Sequence, residues 1–205
     1  MARQKEFEHD TVLQKALEVF WAQGYAATST DDLLRAMQIG RQSMYDTFGD
    51  KRTLYLKTLR RYTADSVGEF VHNLRVATPQ SPLAGLRAAL YKFADKPAAY
   101  HARGCMGVNA TCEFGADDED VALILESSGM MLAAALRHLI TDAREQRELG
   151  TAVDDQAAVD FIAATLIGMK VSAKSGASAA RLRQIADIAI AGLGAMSGTM
   201  PGAMR

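Results

Sequence analysis

The feature that most constrains this chain is the near-uniform spacing of its apolar residues. They recur every three to four positions in almost every segment, and no run of β-branched alternation stands between turn signals, so the pattern offers no material for a sheet. The expectation is an all-α fold of about nine helices. Leu13, Ala16, Leu17 and Phe20 stand at i, i+3, i+4 and i+7, and Gly24 then supplies a left-handed stop. Ser29 and Asp32 form a capping box ahead of a short segment that buries Leu33, Leu34 and Met37. After a break at Gln38-Ile39-Gly40, a third short helix over 41–47 turns Met44 and Phe48 inward. Gly49 and Asp50 end it and cap a long fourth helix running from 51 towards 76. Past the loop Thr78-Pro79-Gln80-Ser81-Pro82, the periodicity predicts helices at 83–95, 103–115, 118–147, 155–174 and 178–195.

With 205 residues, 49% of them hydrophobic and 23% charged, the chain can bury a core and has room for one domain or a small one fused to a larger. The formal net charge of −1 excludes nucleic-acid binding through bulk positive charge, so any such surface must be local. Residues 1–61 hold ten Lys/Arg against eight Asp/Glu, and 62–205 hold thirteen against sixteen. The N-terminal stretch MARQKEFEHD has no apolar run of the kind a secretory signal needs, which predicts a cytoplasmic address. The uncharged stretch 188–204 is broken by four glycines and a proline, and no transmembrane helix is expected. Cys105 and Cys112, read on one helix, lie ~10 Å apart at ~1.5 Å per residue, beyond the reach of a disulfide. Both are expected as buried small apolar residues, with redox sensing as the sharper alternative. His101 and His138 lack partners at metal-ligand spacing. Neither a Gly-rich phosphate loop nor a nucleophile–base set is present, so no metal, no cofactor and no enzymatic activity are expected.

Two short helices joined by a three- or four-residue turn, the second polar and exposed, form the arrangement that lets a helix enter the DNA major groove. The second of the pair here carries Arg41, Gln42, Ser43, Tyr45 and Thr47. A guanidinium forks onto guanine O6 and N7, a carboxamide onto adenine N6 and N7, and hydroxyls bind phosphates or bases. Any one exposed arginine is ordinarily a solvated surface residue, but these residue types together on one short helix point to double-stranded DNA. Trp21, Tyr25, Leu33, Leu34, Met44 and Phe48 are expected to form the core of this small unit.

The stretch 20–54, FWAQGYAATSTDDLLRAMQIGRQSMYDTFGDKRTL, closely resembles the DNA-binding domain of the TetR family of bacterial transcriptional repressors. The resemblance covers 10–59 and includes the opening F-x-x-x-G-Y-x-x-T-S, the M-Y-x-x-F centre of the recognition helix and the Lys51 that follows. It implies a three-helix helix-turn-helix domain over 1–60 and a larger helical effector-binding and dimerisation domain over 61–195, and the Gly- and Met-rich end without periodicity is expected as a flexible tail over 196–205. It further implies that Ser29 caps the second helix near a phosphate, that Arg41, Gln42 and Ser43 face base edges, and that Tyr45, Thr47 and Lys51 hold the DNA backbone. Lys51 would sit at a helix N-terminus, where free N–H groups also attract phosphate. Three positions depart from the family pattern: Gln38 in place of a turn glycine, Gly40 in place of a serine cap, and Thr47 in place of a histidine. Gln38 must then take a left-handed conformation or the turn must differ.

The remainder resembles the ligand-binding part of such regulators, with Arg103-Gly104-Cys105-Met106-Gly107-Val108-Asn109 at the start of a sixth helix. That resemblance implies an effector cavity among the fourth to eighth helices, for which Tyr91, Met106, Asn109, Glu113, Met130, Met131 and Met169 are the candidate lining. Their types suggest a small, mainly apolar or aromatic effector that releases the operator by population shift. From 156 to 195, 19 of 40 residues are Ala, Gly or Ser, which lets helices approach closely. Val159, Ile162 and Leu166, then Leu182, Ile185, Ile188 and Ala189, form apolar stripes suited to a two-fold homodimer closed as a four-helix bundle. A ligand-responsive repressor acting on a palindromic operator is thus the expected function. The alternatives are a helical small-molecule-binding protein and a cysteine-based redox regulator.

Overall fold

Ten helices and no strand occur among the residues described by the computed structural model, 2–77, 81–115, 117–150 and 154–195, with side chains described from 9 onward except at 77. They are α1 (Ala2–Gln23), α2 (Thr30–Met37), α3 (Arg41–Phe48), α4 (Lys51–Ala77), α5 (Pro82–Ala94), α6 (Ala98–Arg103), α7 (Met106–Phe114), α8 (Glu119–Glu145), α9 (Asp155–Lys174) and α10 (Ala179–Ala195). The all-α class read from the sequence is the class observed. The expected count falls short by α6, whose six residues are too few to display a helical period. The expected tail, 196–205, lies outside the described residues.

Packing divides the chain into two units, Met1–Asp65 with Cys105–Ser128, and Ser66–Gly104 with the described residues from Gly129 onward. The first is therefore not the contiguous 1–60 segment expected. Its core joins Leu13, Ala16, Leu17 and Phe20 of α1 to Leu33 and Met37 of α2, Met44 and Phe48 of α3, and Leu54, Tyr55 and Leu59 of α4. Met106 and Ala110 of α7 and Val121 and Ile124 of α8 belong to the same core. Each fully buried Leu, Met or Phe here contributes about 1.5–3 kcal/mol of transfer free energy. A segment far downstream of the helix-turn-helix, beginning with α7 at Met106 where α3 ends at Phe48, thus helps to hold it, and no local sequence signal announces this.

Local chemistry sets the boundaries of these helices. Ser29 Oγ accepts from Asp32 N at 3.1 Å, and Ser29 N donates to Asp32 Oδ2 at 3.1 Å, which closes the capping box read from the sequence. Gln38 resolves the turn question by adopting φ 58° and ψ 39°. Its N–H donates to Leu34 O at 2.9 Å, and its side-chain oxygen accepts from Lys15 Nζ at 2.9 Å. A non-glycine residue therefore closes α2 in the left-handed region at some conformational cost. Gly40 precedes α3 with extended φ −72° and gives no side-chain cap.

The second unit packs α5, α9 and α10 with parts of α4 and α8 around Leu86, Leu90, Leu136, Ile140, Ile162, Met169, Leu182 and Ala186. α8 and α9 are long and apolar enough, by length and composition alone, to cross a bilayer. Leu136, Leu139 and Ile140 of α8 and Val159, Ile162 and Leu166 of α9 are instead committed to this core. The apolar stripes expected at a dimer seam are corrected by the same observation. Val159, Ile162, Leu166, Leu182 and Ala189 are buried within their own chain, and Ile185 is partly buried against that core. Of the seven, only Ile188 is exposed, at 74%. The large apolar residues that α9 exposes are Phe161, Ile167 and Val171. Each helix carries apolar residues on two faces, and periodicity alone does not say which face the chain keeps for itself.

Candidate nucleic-acid interface

α3 is amphipathic in the sense a reading helix requires. Met44 and Phe48, one turn apart, are buried, while Arg41, Gln42, Ser43, Tyr45, Asp46 and Thr47 are all exposed. The side chains proposed to face bases are therefore anchored by two core residues that fix the helix's rotation. Arg41 Nη2 donates to Asp31 Oδ1 at 2.7 Å, and Gln42 Nε2 to Asp46 Oδ1 at 2.8 Å. Both pairs are solvent-exposed and weak, the ion pair worth ~0.2–1 kcal/mol and the amide–carboxylate pair ~0.2–0.5 kcal/mol, little against a bidentate contact to a base. Asp31 and Asp46 were not singled out from sequence; they place negative charge beside the two candidate readers.

Ser29 is exposed, and its hydroxyl is engaged on both sides, accepting from Asp32 N and donating to Asp32 Oδ2 at 2.5 Å. The Ser29 hydrogen bonds and the neighbouring Arg35 hold the Asp32 carboxyl below the usual carboxylate range. Lys51 opens α4 with its ammonium 4.3 Å from the centroid of the Tyr25 ring. At the same helix start Asp50 accepts from Thr53 N at 2.7 Å, a bond that also lowers the Asp50 pKa. One of the free N–H groups expected to attract phosphate is thus satisfied by the chain's own carboxylate, which leaves Lys51 as the positive element of that corner.

Tyr25 is tied to more than Lys51. It packs with Phe20, Tyr55 and Phe114 at centroid distances of 6.4, 5.1 and 5.4 Å, and Tyr55, buried in this cluster, has its hydroxyl pKa pushed up by desolvation. The Tyr25 and Ala26 N–H groups donate to Glu113 Oε2 and Oε1 at 3.0 and 2.6 Å. Gly24, at φ +81°, passes so near that a Cβ there would stand 3.2 Å from Glu113 Oε2. A second clamp joins α4 to the start of α8. Arg52 forks onto Asp118 at 2.8 and 2.9 Å and reaches Asp120 at 2.8 Å. The Arg52 bonds lower the Asp118 pKa and raise that of Arg52 itself. α7 and α8 thereby hold the loop before α2 and the first turn of α4. Sequence reasoning missed both clamps, because the partners lie 66–88 residues apart.

The seven candidate effector contacts do not come together. Met106 lies in the core of the first unit, Asn109 is half-buried on α7, and Glu113 holds the α1–α2 loop. In the second unit, the Tyr91 hydroxyl donates to Asp187 at 2.8 Å, which raises its pKa. Met130 and Met131 are exposed on α8, and Met169 is fully buried in the core. The methionines expected in one cavity belong to different units, Met106 to the first and Met130, Met131 and Met169 to the second. A recess partly open to solvent does exist in the second unit, bounded by Ser66, Glu69, Phe70 and Asn73 of α4, Phe93 of α5, Tyr100 of α6, Leu132 of α8, and Leu166 and Lys170 of α9. None of the seven lines it. Cys105 is half-buried and Cys112 exposed, and neither forms a disulfide, so the expectation that both are buried is not met.

The helix-turn-helix geometry agrees with what known proteins show. The family described as bacterial regulatory proteins, tetR family, matches residues 12–58. Across 192 residues, 93% of this chain and 98% of the relative, the sequence is 30% identical to YezE of Bacillus subtilis (strain 168), an HTH-type transcriptional regulator. The chain belongs to the TetR family. It is also 30% identical over 189 residues to the HTH-type transcriptional repressor ComR of Escherichia coli (strain K12), covering 90% of this chain and 88% of ComR. Among solved structures of TetR regulators, it matches a cysteine mutant of CifR complexed with 26-bp double-strand operator DNA. That match has a TM-score of 0.75 at 26% identity, over 90% of this chain and 95% of CifR. The TetR resemblance seen in 10–59 thus extends over nearly the whole chain.

Proposed function

We propose that this TetR-family regulator is a cytoplasmic repressor that binds a palindromic operator as a homodimer and releases it when a small molecule occupies the recess of the second unit. The observation that carries the DNA-reading part is α3 itself: Met44 and Phe48 anchor the helix while Arg41, Gln42, Ser43, Tyr45 and Thr47 stand on its exposed side. Arg41, Gln42 and Ser43 read base edges, and Tyr45, Thr47 and Lys51 contact phosphates. Ser29 acts chiefly as the cap that fixes α2, since both functions of its hydroxyl are taken up by Asp32.

A recognition helix of eight residues is ~12 Å long and reads only a few base pairs, so a genomic site calls for two copies. The exposed Phe161, Ile167, Val171 and Ile188 supply the apolar face on which a second copy would close. Effector binding then favours a conformer less suited to paired half-sites, and operator affinity falls by the ligand's differential affinity for the two states. Footprinting on the DNA flanking its own gene tests the proposal. A protected palindrome with half-sites one helical turn, ~34–36 Å, or a multiple apart supports it; protection without two-fold symmetry contradicts it.

A further inference from the structure

α3 is short, and its own sequence does little to secure either end. Its eight residues are marginal for a helix standing alone. Gly40 gives its start no side-chain cap, no acid stands in its first turn, and no base stands in its last. Asp46, in that last turn, places a negative charge where the helix macrodipole disfavours one. Gly49, at φ +83°, ends the helix directly after Phe48, so the Phe48 carbonyl is one of the terminal acceptors with no N–H of α3 to bond. Lys57, in the second turn of α4, supplies what is missing. Its ammonium donates to Phe48 O at 3.2 Å and lies 5.8 Å from the centroid of the Phe48 ring. His9 of α1 packs against the same buried ring at 4.6 Å. A cation at a helix C-terminus is favourable both as a charge and as a hydrogen-bond donor.

We infer that Lys57 is a positioning residue for base recognition: by holding the last carbonyl and the anchoring ring of α3, it fixes the tilt of the reading helix and sets operator specificity without touching DNA. This rests on the reading of α3 as the recognition helix. On that reading Lys51 attracts any duplex through its phosphates, whereas Lys57 acts only on how Arg41 and Gln42 are presented. Their presentation matters only where the base edges match.

The test uses the full chain on the operator defined by footprinting and on scrambled duplex, over a range of salt concentrations. Lys57→Met keeps the unbranched stem and removes the ammonium, and Lys57→Arg restores a cationic donor. Lys57→Met is expected to lower operator affinity about 3–10-fold, to leave scrambled duplex within about twofold and to leave the salt slope unaltered. Amide exchange in the last turn of α3 is expected to quicken in the same variant, and Lys57→Arg to recover most of the loss. Equal weakening on both duplexes, with a salt slope smaller by about one, makes Lys57 a phosphate contact and overturns the inference. An unchanged ratio of operator to scrambled affinity overturns it too, since Lys57 then contributes stability alone. So does a loss in Lys57→Arg as large as in Lys57→Met. Where Lys57→Met does not fold, Lys57→Gln, which keeps a donor without the charge, carries the same comparison. The Arg41→Ala/Gln42→Ala variant, measured beside these, separates the two readings. If it loses the ratio while Lys57→Met keeps it, α3 reads DNA and the inference alone fails; if it keeps the ratio, the reading of α3 fails and takes the inference with it.

Discussion

Arg41 and Gln42 each hold a carboxylate of their own chain, Asp31 and Asp46 respectively, and on the proposed reading DNA binding would exchange these for base contacts. Asp31 therefore opposes DNA twice, as a competitor for Arg41 and as a negative charge near phosphates. Asp31→Asn is expected to raise affinity for operator and unrelated duplex alike by about 2–5-fold, read by fluorescence anisotropy. A fall in operator affinity would show that the Arg41–Asp31 pair orients the reader instead. Several depressed carboxyls contribute to the response to pH, Asp50 among them. Asp32, through its Ser29 bonds, and Asp118, through Arg52, have carboxyl pKa values lowered on folding. A depressed group contributes stability that is present above the unfolded value, about 4, and fades as pH falls through the folded one. Denaturant midpoints are thus expected to hold steady from neutral pH to about 5 and to drop toward 3, with a smaller drop in Asp118→Asn. An equal drop in that variant would assign the acid sensitivity to other groups. At this scale much was legible beforehand, because a cap is a local affair: Ser29, Asp32 and the Gly24 stop follow from neighbours within four residues.

α7 joins the reading head through Glu113, whose carboxylate accepts from the Tyr25 and Ala26 N–H groups. Glu113→Ala frees both donors to solvent, so the loss should be about 1 kcal/mol per hydrogen bond at most. Operator affinity is expected to fall several-fold, with faster amide exchange in the α1–α2 loop and partial rescue by Glu113→Gln. Unchanged exchange in that loop would show that Glu113 does not hold it. Gly24→Ala is expected to cost about 1 kcal/mol or more, since it forces a Cβ into φ +81° beside the same carboxylate. These long-range partnerships explain what sequence left out. Glu113 was read as a cavity residue because its helix was assigned to the effector domain, and Met106 likewise. Met106→Trp is accordingly expected to overpack the core of the reading unit and lower stability, not to fill the effector cavity. Helix α6 escaped because six residues carry no period, whereas α2 and α3 were legible from their caps and buried pairs.

For the whole molecule, the large apolar residues left exposed include Phe161, Ile167 and Val171 of α9 and Ile188 of α10, along with Leu123, Met130 and Met131 of α8; the proposed dimer assigns the α9 and α10 set to the seam. Ile188→Glu, together with Phe161→Glu, is expected to yield a monomer by sedimentation with loss of cooperative operator binding. Ile185 is a poorer probe, since it packs against its own chain's core. A dimer that survives both substitutions would place the seam elsewhere. The small-residue composition of 156–195 correctly marked tight helix packing, and assigning its inward stripe to the dimer was the error, because burial is a property of three dimensions that period does not carry. The central claim is that α3 reads base sequence through Arg41 and Gln42. It is tested most directly by the ratio of operator to scrambled-duplex affinity, measured at one salt concentration for the unaltered protein, the Arg41→Ala/Gln42→Ala double variant and Lys51→Ala. The account gives a double variant that loses ~1–3 kcal/mol per replaced base contact on the operator and little on scrambled DNA, while Lys51→Ala weakens both equally. A folded double variant that keeps the full ratio would contradict it.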